Sequence, residues 1–204
     1  EKFEDIELFY KSVESFLLEN EVRNNLIIAI LRTIKEKPNT YGEEDPILIK
    51  ISKNNLLQMI AIRTPPFNLI ISYTDQLKAI DELVSYLIDK KEKLPGVLGF
   101  KKGANLFAEK WTKETQQKFE LEMNERIYKL EKVNENLLKP SSNQFVTADL
   151  EYESIILDWA EKFILEAVPD QKDEIENSLK RTKEQIKEGK LFLHIFDWPT
   201  DGHI

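Results

Sequence analysis

The stretch Ile47-Leu48-Ile49-Lys50-Ile51-Ser52-Lys53-Asn54-Asn55-Leu56-Leu57-Gln58-Met59-Ile60-Ala61-Ile62-Arg63-Thr64-Pro65-Pro66-Phe67-Asn68-Leu69-Ile70-Ile71-Ser72-Tyr73 decides the fold. Residues 47–51 are short, apolar and β-branched, and residues 57–62 form a second such run. The polar pair Asn54-Asn55 between them predicts a hairpin. Pro65-Pro66 ends the second strand, because proline has no N–H to give to a ladder. Residues 67–73 predict a third strand, so the three form an antiparallel meander.

The pattern changes on either side. Ile6, Phe9, Tyr10, Val13, Phe16 and Leu17 fall at helical spacing and predict a helix over 5–18. Asn20 breaks it. Val22, Leu26, Ile27, Ile30, Leu31 and Ile34 predict a second helix that stops before Pro38. After the meander, Thr74-Asp75 reads as a helix start, a hydroxyl cap with an acid in the first turn. The helix face is Leu77, Ile80, Leu83, Val84, Leu87 and Ile88. Residues 94–100 are glycine-bounded and predict a brief strand, reached by a crossover that can be parallel. A helix over 104–116 carries Phe107 and Trp111. Residues 119–131 predict a long strand: Phe119, Leu121 and Met123 alternate, then Tyr128 and Leu130 take the opposite parity, as at a bulge.

Residues 134–144 are polar with one proline and read as a linker between a domain over 1–133 and a second over 145–204. The second begins with a strand at Phe145-Val146. Asp149 can cap a helix carrying Tyr152, Ile155, Ile156, Trp159 and Phe163. Another helix starts at Pro169-Asp170 and is stopped by Gly189. Leu191-Phe192-Leu193 is a strand, and Asp197 to Gly202 is turn material. The class expected is α+β, with a mixed, mostly antiparallel sheet flanked by helices and then a partial βααβ unit.

Composition narrows the chemistry. The 204 residues include no cysteine, which excludes disulfides, thiolate metal sites and cysteine nucleophiles. The two histidines, His194 and His203, both lie near the C-terminal end, a poor basis for a triad or a metal site. Net charge is −8. The first 140 residues carry 22 basic and 23 acidic side chains (net −1), the remaining 64 carry 7 and 14 (net −7). No basic stripe runs through the chain, since Lys90-Lys91 and Lys101-Lys102 are too short to make one, so no nucleic-acid partner is expected. No apolar run is long enough to span a membrane. The acidic, amphipathic N-terminal stretch is unlike a signal peptide, so a cytoplasmic protein without a membrane partner is expected.

Catalytic motifs are missing. Gly96, Gly99 and Gly103 with Lys101-Lys102 are not a phosphate loop of known spacing; a helix starting at Gly103 could hold a phosphate, and turns around a short strand account for them better. Glu120, Glu122, Asn124 and Arg126 share one strand face. Asp170, Asp173, Glu174 and Glu176 suit a helix N-terminus and lack calcium-loop spacing. No catalytic, cofactor-binding or metal-binding residue is assigned. Candidate ligand or partner contacts are Arg63, Asn68, Tyr73, Asn124 and Arg126.

A family resemblance extends this. Phe145-Val146-Thr147-Ala148-Asp149-Leu150-Glu151, opening a βααβ order, is similar to the R-x-A-T-x-x-D-L opening of GNAT acetyltransferase domains. Phe16-Leu17-Leu18-Glu19-Asn20-Glu21, Asn24-Asn25-Leu26, Arg63 to Leu69 and Glu122 to Tyr128 resemble the front domain of a two-domain, Bacillus-type member of that superfamily. The resemblance implies a bacterial, two-domain N-acetyltransferase with acetyl-CoA as co-substrate, an amine of unspecified identity as acceptor, and no metal. The front domain's own order resembles a degenerate GNAT fold. In a working GNAT domain the fourth strand leads into a (Q/R)-x-x-G-x-(G/A) loop that holds the coenzyme pyrophosphate on backbone N–H groups. The matching residues here are Ser72-Tyr73-Thr74-Asp75-Gln76-Leu77, without glycine and with an acid. The resemblance therefore implies a front domain that does not hold acetyl-CoA in the usual manner. It also implies that 145–204 is the truncated start of a catalytic domain, so that this chain alone is inactive. The alternative reading is a non-catalytic ligand-binding or dimerisation module, with a homodimer formed through exposed strand edges.

Overall fold

The computed structural model describes residues 1–137, 144–167 and 175–195. They fall into two compact units, Glu1–Glu131 and Lys132–Ile204. The chain is α+β, as its sequence predicts. The helix proposed to start at Pro169-Asp170 has its first residues outside the described set, as do Asp173, Glu174, the turn at 197–202 and His203.

The first unit opens with β1 (Lys2–Phe3), α1 (Ile6–Glu19) and α2 (Glu21–Glu36). Asp5 caps α1 by accepting the Leu8 N–H at 2.9 Å. The meander follows as β2 (Ile47–Lys53), β3 (Leu56–Arg63) and β4 (Leu69–Ile71). Asn54 and Asn55 both have positive φ, 50° and 61°, which a two-residue hairpin turn of this hand requires. Then come α3 (Lys78–Asp89), β5 (Val97–Leu98) and α4 (Lys101–Thr115).

The five strands form one sheet in the order β1-β2-β3-β4-β5. The first three pairings are antiparallel. The last is parallel, with Leu69 opposite Val97 and Ile70 opposite Leu98. The crossover through α3 is what makes it so.

Both sheet faces are covered. Leu48, Ile60 and Ile62 pack with Phe9, Val13, Leu17 and Leu31 of α1 and α2. Ile47, Ile49, Ile51, Met59 and Ala61 pack with Ile80, Leu83, Leu87 and Phe107 of α3 and α4. That is why 47–51 is almost continuously apolar rather than alternating. Lys110 of α4 pairs with Asp81 of α3 at the edge of this layer.

Three sequence expectations need correction. The helix expected from Thr74-Asp75 starts at Lys78 instead; the Thr74 hydroxyl accepts the Gln76 N–H at 2.9 Å and holds a turn. Strand β1 is not predicted from the sequence, because its two residues are too few to show a period. The long strand expected over 119–131 is not formed: these residues are neither helix nor strand, and Phe119, Leu121, Met123, Tyr128 and Leu130 are exposed. Alternation marks a chain suited to a ladder, but a strand exists only where a neighbour takes its N–H and C=O groups.

The second unit contains β6 (Gln144–Thr147), a short 3-10 turn, α5 (Glu153–Ala167), α6 (Ile175–Lys187) and β7 (Phe192–Ile195). Asp149 caps the 3-10 turn ahead of α5, accepting the Glu151 N–H at 2.9 Å. Gly189, at φ 65°, ends α6 with its own N–H bonded to Ile186 C=O and the Lys190 N–H bonded to Gln185 C=O. β6 and β7 pair antiparallel, Phe145 opposite His194 and Val146 opposite Leu193. The core here is Ala148, Ile156 and Ile186, with Tyr152, Leu191 and Leu193 against it.

Candidate functional site

In a sheet with parallel strands, ligands bind beyond the strands' carboxyl ends, where helix N-termini converge. β4 and β5 are the parallel pair. Beyond them lie Ser72 to Leu77, Gly99-Phe100, and the start of α4. A cavity of about 100 Å³ sits there, lined by Ser72, Tyr73, Thr74, Asp75, Leu77, Phe100, Lys102 and Gly103. Small-molecule sites are typically ~300–1,000 Å³, so this one suits a few waters rather than a coenzyme.

Local chemistry explains the small size. Ser72 is buried and extends the β3–β4 ladder: its N–H donates to Ile60 C=O at 3.0 Å, and its Oγ accepts the Ile60 N–H at 3.0 Å. Tyr73 comes next. Its N–H donates to Asn24 Oδ1 at 3.2 Å, and its hydroxyl donates to Asp75 Oδ1 at 2.6 Å. Its ring meets Phe100 edge-on at 5.3 Å between centroids. The Arg23 guanidinium stands 4.0 Å from the Tyr73 ring centre and 5.7 Å from that of Phe100. Two rings and a cation thus close one side of the space between the strand ends, and a carboxylate is anchored at the approach to α3.

The start of α4 has a different character. Phe100 precedes it without a side-chain cap, and Lys101 and Lys102 occupy the first turn with no acid among them. Ala104 N–H donates to Phe100 C=O at 2.9 Å, which leaves the N–H groups before it as the helix's unpaired donors. Gly99 is fixed by packing, since a Cβ there would lie 2.5 Å from Ile71 Cγ1. Close approach thus accounts for Gly96 and Gly99, whereas a Cβ on Gly103, inside α4, would make only ordinary contacts at 3.5 and 3.7 Å.

The five contacts proposed from the sequence do not form one group. Tyr73 lies at the carboxyl end of β4, beside the cavity. Arg63 ends β3, at the opposite end of the sheet: its Nε donates to Phe67 C=O at 2.8 Å and its guanidinium reaches Pro66 C=O at 3.4 Å, bracing the loop that contains the cis Pro65-Pro66 bond. Asn68 packs beside Gly96, where a Cβ would meet its Oδ1 at 2.8 Å. Asn124 and Arg126 are exposed in the segment that follows α4.

Sequence reading missed the residues that organise the cavity. Asn24 is buried, donating from Nδ2 to Leu17 C=O at 3.2 Å while its Oδ1 accepts from Tyr73. It sits on the face of α2 that carries Ile27, Leu31 and Ile34, and a polar residue on an apolar helix face was the available signal. Arg23 and Phe100 gave none, because their contacts join segments far apart in the chain.

A second cavity of about 180 Å³ lies at the opposite end of this sheet, with Glu4, Glu44 and Asp45 on its rim and Tyr41, Thr64 and Pro65 in its wall. Among the described residues no group of three His, Asp or Glu side chains is placed to hold a metal ion, and no helix is long and apolar enough to cross a membrane. Comparison with protein-family models, with curated proteins and with solved structures finds no match to this chain.

Proposed function

We propose that this chain is part of an N-acetyltransferase of the GNAT type, with its first unit a copy of the fold that has lost its coenzyme site. The carrying observation is the connectivity: two helices between β1 and β2, a three-stranded meander, then a parallel β4–β5 pair joined through α3, with helices on both faces. The order resembles that of the GNAT fold as far as α4, and the long strand expected after α4 is not formed. The βααβ order of the second unit is consistent with the start of another such domain.

Acetyl transfer needs a base to take the amine proton and N–H groups to polarise the thioester carbonyl. In the first unit the coenzyme's place is taken by the rings of Tyr73 and Phe100, and Asp75 puts a negative charge where a pyrophosphate would lie. Among the described residues the strands of the second unit are one antiparallel pair, with no parallel pair beside it. The chain on its own is therefore expected not to turn over acetyl-CoA.

Calorimetric titration with acetyl-CoA tests this. No saturable heat is expected from the native chain, and micromolar binding would overturn the loss of the site. Asp75→Gly with Leu77→Ala restores the small residues of the coenzyme loop, and this variant is expected to gain measurable binding. A folded variant that still binds nothing would count against the acetyltransferase reading itself. The reading as a binding or dimerisation module is favoured by a separate feature, the exposed apolar segment after α4.

A further inference from the structure

Among the described residues, 118–133 make no backbone–backbone hydrogen bond, and their large apolar side chains face solvent, Leu121 at 72% exposure and Tyr128 at 83%. Lys129 Nζ lies 2.7 Å from Glu131 Oε1, a same-side contact between residues two apart, as in an extended chain. A run of exposed apolar side chains with unpaired backbone marks an interaction surface.

We propose that residues 118–131 pair antiparallel with the same residues of a second copy of this chain, about a two-fold axis between Asn124 and Glu125. The charge pattern selects this partner and register. Lys118 then faces Glu131 and Glu120 faces Lys129, while Phe119 faces Leu130 and Leu121 faces Tyr128. Met123 opposite Arg126 is neutral, and Glu122 opposite Ile127 gains nothing. Two-fold symmetry makes every one of these pairs twice.

The change of parity at the middle of the segment now has a cause. Against a fixed sheet it needs a bulge. In this register an odd residue always faces an even one, so each face of the ribbon has an apolar end built from Phe119 and Leu121 of one copy and Leu130 and Tyr128 of the other. Its other end carries the Lys–Glu pairs. A hairpin within one chain would give the same pairs, but its turn would be Asn124-Glu125, which either sets Glu125 at positive φ or puts Asn124 where the alternative turn takes glycine. A second copy needs no turn.

Sedimentation of the full chain over a range of concentrations tests the proposal. The native chain is expected to dimerise. Lys118→Glu with Lys129→Glu gives a segment with four acids at the paired positions, and Glu120→Lys with Glu131→Lys gives one with four lysines. Each variant alone is expected to lose the dimer, and an equimolar mixture is expected to regain it as a heterodimer. The register is read separately: the chain has no native cysteine, so a Phe119→Cys chain mixed with a Leu130→Cys chain should give mainly the mixed disulfide. A native chain that stays monomeric, a dimer indifferent to both charge variants, or an internally cross-linked monomer from a Phe119→Cys/Leu130→Cys chain would each overturn it.

Discussion

In β2 of the first unit Leu48 and Ile49 are sequence neighbours on opposite sheet faces, and both are buried. In the second unit Val146 and Leu193 face the helices, while Phe145 and Phe192 stack on each other at 5.4 Å on the other face, 72% and 56% exposed. One sheet is the middle of three layers and the other is half of two. The consequence is energetic. A two-stranded ribbon with one covered face is marginal without further packing, whereas each β2–β3 pair is held from both sides.

The largest effect that would test this contrast comes from the first unit. Phe9 is fully buried against Leu48, Ile60 and Ile62. Phe9→Ala is expected to cost about 4 kcal/mol. Hydrogen exchange read element by element shows where the loss falls. In the native chain the amides of β2 and β3 should be the slowest to exchange and those of β6 and β7 much faster. Phe9→Ala should speed β2 and β3 and leave β6 and β7 unchanged. Equal protection of the two sheets in the native chain would break the comparison.

A middle-sized effect sharpens it at the site. Asn24 ties α1, α2 and the carboxyl end of β4 through one side chain. Asn24→Ala leaves the Tyr73 N–H without its acceptor and the Leu17 C=O with the Asn20 N–H alone, at about 2 kcal/mol. Asn24→Asp keeps the acceptor for Tyr73 but sets a carboxylate against the Leu17 carbonyl, and should be no better. Chemical denaturation of both variants checks this. If both unfold like the native chain, the buried bridge contributes nothing.

How much of this was legible in the sequence follows from the range of the interactions. The hairpin of β2 and β3, the crossover and the Gly189 stop were readable because they depend on neighbours: two asparagines at positive φ, a helix between strands, a glycine at a helix end. Residues 119–131 carried an equally clear local signal and form no strand, since that requires an edge to pair with. The cavity at Tyr73 was half legible. Tyr73 and the glycine-free loop could be picked out, but Asn24, Arg23 and Phe100 reach it from other elements. Arg63, a candidate contact in the sequence, has its guanidinium engaged in bracing the proline loop.

The smallest effect separates an exposed aromatic pair from a half-buried one. Phe145 and Phe192 stack on each other and are largely exposed, so Phe145→Ala is expected to lose that stacked pair, about 1 kcal/mol. The comparison with Tyr73 and Phe100 is direct. That pair sits under the Arg23 guanidinium at the end of a covered sheet, and Tyr73 is fixed by Asn24 and Asp75. Phe145→Ala should change the unfolding of the second unit by that amount and leave the exchange of β3 and β4 alone. A cost of about 3 kcal/mol or more, the range for a buried phenylalanine, would mean that something covers the Phe145 face in solution. The second sheet would then be an inner layer like the first.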